Sequence, residues 1–239
     1  FMAFNTASFA SGLGTGGDPV SMINGNNQHV ERDLEIPGRA GHNLSLVRSY
    51  NSRLDYDGPL GAGWIHSYDQ HLFRQVETGN DFLVWRNETG TEIRFEETAG
   101  GFVPEAGIFD SLVRLGDGSF DLTLHSGVRF HFLAEAQGRA KLGYIRDRNG
   151  NQLTCVYDAG SGRLSSVTDT AGRSLQFFYD NAGKLDRIQD WTGRVWDYLV
   201  DANHDLVTYT DPAAAGLATR YTYYTGLADP KLKHNLRCW

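Results

Sequence analysis

The chain has 239 residues, 40% of them hydrophobic and 12% aromatic, with 28 Gly, 6 Pro, 2 Cys and a formal net charge of −7. A chain of this length buries roughly 70% of the surface that it exposes unfolded, enough for one large all-β unit or two modest domains. The acidic balance and the lack of a Lys/Arg cluster exclude a nucleic-acid partner, two cysteines exclude a disulfide framework, and no apolar run approaches the ~20 residues of a membrane span.

Residues 1–16 read as a tail. The opening FMAFNTASFASGLGTGGDP has neither a basic leader nor a long apolar stretch, so it is not an intact signal peptide. GLGTGG, Gly12 to Gly17, matches G-x-G-x-x-G, but Asp18 and Pro19 follow and no helical period appears. A dinucleotide loop needs a helix whose N-terminal amides meet the pyrophosphate. The motif is therefore read as a flexible lead-in, and no cofactor is expected.

Residues 17–138 read as a strand-rich domain. In GPLGAGW, Gly58, Gly61 and Gly63 around Pro59 predict a tight chain reversal, with Trp64 anchoring it in the core. His66 and His71 bracket the SYDQ segment and are read as hydrogen-bonded loop histidines rather than ion ligands. FLVWRNETGTEIRF predicts a hairpin around Asn87 to Gly90, and FDLTLHSGVRFHFL another around Ser126 and Gly127. His125 and His131 are ~20 Å apart along a strand, too far to share a metal. Glu96 and Glu97 are adjacent and point to opposite faces, which does not suit paired acid–base work. No G-x-S-x-G, H-E-x-x-H or C-x-x-C is present, so neither a catalytic nor a metal site is expected.

Residues 139–239 carry a rhythm. Asp147, Asp158, Asp169, Asp180, Asp190, Asp201 and Asp211 follow one another at intervals of 10 or 11 residues. Gly150, Gly172, Gly183 and Gly193 stand three places after their aspartates, Gly162 follows Asp158 one place late, and Asp201 has no such glycine. An Asp carboxylate bonds backbone N–H groups two residues on, and Gly accepts the positive φ that closes the turn. Between turns the residues alternate: Leu153, Cys155 and Tyr157 share one face, as do Leu175, Phe177 and Tyr179, and Trp196, Tyr198 and Val200. Period-2 patterning with turns at this interval predicts an antiparallel meander built from an internal repeat of two strands. The aspartates are assigned to turn formation, not to catalysis or calcium. The recurring Gly-Arg and Gly-Lys pairs are expected to pair across strands or to face solvent. Cys155 and Cys238 are consistent with one bridge or with two free thiols.

Tyr157-Asp158 and Tyr179-Asp180, each followed by a turn and then by GRLSSVTD or GKLDRIQD, resemble the YD repeats of RHS (rearrangement hotspot) proteins. GDPVSMINGN, DLEIPG, VRSYNSR, GPLGAGWIHSYD and WRNETGTEIRF resemble, in that order, the opening domain that precedes those repeats in bacterial members. The resemblance implies a curved β-sheet that coils into a hollow shell, commonly around a C-terminal toxin. The three to four repeats present here would form part of such a shell. The expected function is a non-enzymatic scaffold in a secreted or cell-surface bacterial protein, with the rest of the shell, a toxin cargo or further copies of the chain as partners. Two other readings are a self-assembling filament, joined through the aromatic run TRYTYYT (Thr219 to Thr225), and a glycan-binding module using Trp191 in the turn DWTG.

Overall fold

A computed structural model describes residues 26–77, 79–213, 217–224 and 234–238. The proposed tail, the GLGTGG motif and Thr225 lie outside the described residues, as do all but the last residue of GDPVSMINGN and the side chain of Cys238. The described chain is all-β, with one 3-10 turn at Arg39–Gly41 and no α-helix.

A small antiparallel sheet comes first, in the order β1 (Gln28–Ile36), β2 (Leu44–Asn51), β5 (Trp64–His66). Between β2 and β5 the chain makes the two-residue pair β3 (Asp57–Gly58) and β4 (Gly61–Ala62). A meander follows: β6 (His71–Glu77), β7 (Asn80–Arg86), β8 (Glu92–Thr98) and β9 (Gly101–Pro104). A second one runs through β10 (Ser111–Arg114), β11 (Phe120–Thr123) and β12 (Arg129–Phe132) into β13 (Arg139–Arg146). The turns joining β7 to β8 and β11 to β12 are the hairpin turns at Asn87–Gly90 and Ser126–Gly127.

The third meander holds β14 (Gln152–Tyr157), β15 (Leu164–Asp169), β16 (Ser174–Tyr179), β17 (Leu185–Asp190), β18 (Val195–Val200), β19 (Leu206–Thr210) and β20 (Ala218–Arg220). Each pairs with the next in sequence order. β13 joins the meanders: Arg139–Lys141 pair with β6, whereas Tyr144–Arg146 pair with both β12 and β14. The result is one 15-stranded antiparallel sheet that does not close into a barrel. A last pair, β21 (Thr222–Tyr223) and β22 (Leu236–Cys238), stands beside it.

Alternation decides which face is buried. Leu153 and Cys155, Leu175 and Phe177, and Trp196, Tyr198 and Val200 are buried, while Val156, Gln176, Asp197 and Leu199 between them are exposed. The small sheet covers this buried face. Leu34, Leu46 and Trp64 join Val167, Leu175 and Ile188 in one contiguous core, to which each large apolar side chain contributes about 1.5–3 kcal/mol. His66 stacks on Phe177 at 5.8 Å, and Arg173 donates to the Pro37 carbonyl at 2.8 Å. At the centre of the contact Arg48 Nε donates to Asp33 Oδ2 at 2.6 Å, both side chains being 1% exposed. The Arg48 guanidinium lies 4.2 Å over Tyr209 and also donates to the Tyr221 hydroxyl at 3.0 Å. Cys155 is a free thiol, which burial pushes up to about 12.

Candidate functional site: a cleft on the YD rim

The turns fall on two rims of the sheet. Asp147, Asp169, Asp190 and Asp211 lie on one, and Asp158, Asp180 and Asp201 on the other. On the first rim Asp169 Oδ1 accepts from the amides of Ala171 and Arg173, both at 2.9 Å, and its Oδ2 meets the Arg173 guanidinium. Asp190 repeats this with Thr192 and Arg194, and Asp147 with Asn149 and Asn151. Asp211 Oδ1 accepts from Ala213 N at 2.7 Å. Despite partial burial, the hydrogen bonds from Thr192 and Arg194 hold the Asp190 carboxyl below its ordinary value.

On the second rim the amide and hydroxyl of Ser161 hold Asp158 low, Asp180 Oδ1 accepts from Lys184 N at 2.8 Å, and Asp201 Oδ1 accepts from Asn203 N and Asp205 N. Gly150, Gly172, Gly183 and Gly193 have φ between 81° and 90°. His204 occupies the corresponding place after Asp201 at φ 67°, with its ring on Asp57.

The YD tyrosines make a second repeating contact. Tyr157 donates to the Leu142 carbonyl at 2.8 Å and Tyr179 to the Leu164 carbonyl at 2.9 Å. The cation just before each of those leucines lies over the same ring: Lys141 at 5.3 Å from Tyr157, Arg163 at 5.6 Å from Tyr179. The unit is thus a cation, a leucine, and a tyrosine sixteen places after the cation. In the next unit Lys184 and Leu185 keep their places, but Val200 stands where the tyrosine would be.

The Gly58–Trp64 loop docks on this unit. Leu185 N donates to the Pro59 carbonyl at 2.8 Å, Lys184 Nζ bonds Asp57 and the Gly58 carbonyl, and Ala62 N donates to the His204 carbonyl at 2.8 Å. A methyl group at Gly61 would lie 2.3 Å from the His204 carbonyl oxygen and 3.2 Å from Val200, so only glycine allows this approach. Gly63, at φ 74°, lies against the Tyr50 ring, and Trp64 is fully buried, donating to the Tyr223 hydroxyl at 2.9 Å.

The Gly-Lys pair at Lys184 departs from the expectation of solvent exposure or cross-strand pairing. Lys184 is buried against the loop because Val200 leaves it no ring to lie on. Arg163 and Lys141 stay on their rings. Tyr56, Asp69 and Gln70 line a cleft together with Tyr157 and Tyr179, and its volume is about 350 Å³.

Asp69 Oδ1 accepts from the Tyr56 hydroxyl at 3.0 Å, while Oδ2 has no partner. Burial pushes the Asp69 carboxyl up to about 7 against the opposing pull of the Tyr56 hydroxyl, Arg139, Arg86 and Lys184. Burial also lowers His66 to about 3 and His71 to about 4, so both are neutral near pH 7. His66 Nδ1 accepts from Tyr68 N, and His71 Nδ1 bonds the Asp69 carbonyl at 2.8 Å.

Elsewhere, His131 stacks on Tyr144 and bonds Asp121, and no group of three metal-ligating side chains occurs among the described residues. No helix of the described residues is long and apolar enough to cross a membrane. Trp191 is 45% exposed, with the Arg173 guanidinium 5.6 Å from its ring. Within the TRYTYYT run, Thr219 and Arg220 pair with Tyr209 and Thr208 of β19, while Thr222 and Tyr223 are paired with Cys238 and Leu236.

An open antiparallel ladder, repeating every two strands and carrying a tyrosine-aspartate turn on one rim, defines a YD-repeat protein. Comparison with protein families agrees. The RHS Repeat matches residues 157–195, and the Domain of unknown function DUF6531 matches residues 17–95. The chain is an RHS/YD-repeat protein with an N-terminal domain. No curated protein matches it.

Proposed function

We propose that the chain is a non-enzymatic structural part of an RHS/YD-repeat shell, with residues 17–138 as its opening domain and residues 139–239 as its wall. The shell would belong to a secreted or cell-surface protein that encloses and delivers a toxin or makes cell contact. Its partners would be further wall segments and a cargo. The observation that carries this reading is the ladder from β13 to β20. It advances one strand at a time, buries one face, turns the other to solvent, and ends among the described strands at β20, which pairs with β19 alone. Such a ladder extends by adding hairpins, as repeat arrays do.

Electron microscopy of particles made from the full reading frame tests it. The expected image is a hollow particle whose wall contains this ladder. A compact particle in which the ladder ends against its own domain would overturn the reading.

Self-assembly is a second reading, favoured by the outer edge of β20, which pairs with β19 alone among the described strands. A sedimentation profile that stays monomeric at high concentration would rule it out.

A further inference from the structure

The cleft on the YD rim holds more positive charge than its own acids balance. In a chain of net charge −7, four cations line it: Arg139, Lys141, Arg163 and Lys184. Lys184 is matched by Asp57, and Lys141 donates to the Gly162 carbonyl at 2.6 Å. Arg139 and Arg163 are exposed and lie over the rings of Tyr56 and Tyr179, at 5.1 and 5.6 Å, with no carboxylate of the described residues within ion-pair distance. Guanidinium groups that lie over aromatic rings without a carboxylate partner offer N–H donors that match the two oxygens of a carboxylate.

The rings of Tyr157 and Tyr179 line the same space. At about 350 Å³ the space falls at the small end of ligand pockets, which run from about 300 to 1,000 Å³.

We propose that this cleft is a binding site for an organic carboxylate of single-residue size, with Arg139 and Arg163 gripping the carboxylate and the tyrosine rings flanking the body. An acidic monosaccharide and an acidic amino-acid residue both have this chemistry. Aromatic walls suit either of them better than a bare inorganic anion. The inference does not depend on the shell reading, because every residue it uses belongs to the described part of this chain.

Isothermal titration of the whole chain with D-glucuronate, N-acetyl-L-glutamate and inorganic phosphate tests the proposal. Saturable binding of glucuronate, of N-acetylglutamate or of both, tighter than phosphate, supports it and identifies the source. Arg139→Gln and Arg163→Gln should each weaken that binding about tenfold, the ~1.4 kcal/mol of one charge-assisted contact, while Arg187→Gln on an exposed strand position leaves it unchanged.

A measurement on the unmodified chain guards against variants that fail to fold. The bound carboxylate should protect Arg139 and Arg163, but not Arg187, from phenylglyoxal, as mapped by mass spectrometry. No binding of either carboxylate, phosphate binding as tightly, or unprotected Arg139 and Arg163 would each overturn the proposal.

Discussion

Replacing Arg48 with Met should unfold the protein far more readily than a surface change would. The Asp33 carboxylate, 1% exposed, would keep only the Tyr198 hydroxyl at 2.8 Å. Removing one partner of a buried ion pair costs about 3–5 kcal/mol, because the other charge is left uncompensated. Arg48 also loses its bond to Tyr221 and its position over Tyr209, which places the expected loss at the upper end, about 4–5 kcal/mol. For a chain of this size each kcal/mol lowers the unfolding midpoint by roughly 2–4 °C, giving a fall of about 10–15 °C. The double variant Asp33→Leu/Arg48→Met removes both charges and should recover most of that loss, since apolar replacement of a whole buried pair is often neutral. Thermal unfolding followed by circular dichroism measures both variants. A fall below about 3 °C for Arg48→Met, under ~1 kcal/mol, or a double variant weaker than the single, would refute the reasoning.

Asp69 predicts a pH signature. Its folded-state value of about 7 lies above the ordinary 3.8, so proton binding stabilises the folded state. That contribution is complete below about pH 4 and is lost as pH rises through 7, about 4 kcal/mol in all at ~1.4 kcal/mol per unit. The wild type should therefore lose about 4 kcal/mol between pH 4 and pH 8 relative to Asp69→Asn. Denaturant unfolding of the pair at both pH values measures this. The difference cancels the opposite trend of His66 and His71, whose lowered values make stability fall as pH drops below about 6.5. Asp190→Ala should cost about 1–3 kcal/mol, since it frees two turn amides and the Arg194 side chain, and urea unfolding reads it. Gly61→Ala should cost more than about 1 kcal/mol, because φ there is 92° and the new methyl meets the His204 carbonyl. The same substitution at Gly172, at φ 81° but in open space, should cost less.

The all-β class and the meander were legible in the sequence because both signals are local. A buried face every second residue, as in Leu175, Phe177 and Tyr179, is the pleat of a strand, and an aspartate with a following glycine carries the turn within four residues. The join at β13 was not legible. Lys141 pairs with His71, seventy residues earlier, and nothing in either short segment names the other. The cleft was hidden for the same reason. Asp69 and Gln70 come from the opening domain, whereas Arg163 and Lys184 come from the repeats. One signal did reach across. The cations Lys141, Arg163 and Lys184 recur in step with Tyr157, Tyr179 and then Val200, sixteen places later each time. That spacing puts the cation over the ring, and the valine marks where the ring is missing.

The missing tyrosine at Val200 gives the ladder an index mark. The two preceding units, Lys141 to Tyr157 and Arg163 to Tyr179, offer the same cation-on-ring rim to whatever approaches them. Val200 breaks that equivalence. At its unit the Pro59 carbonyl accepts from Leu185 N and Gly61 slips beneath His204. The small sheet is thereby fixed to one address on an otherwise periodic surface, as a single odd tooth sets the phase of a gear.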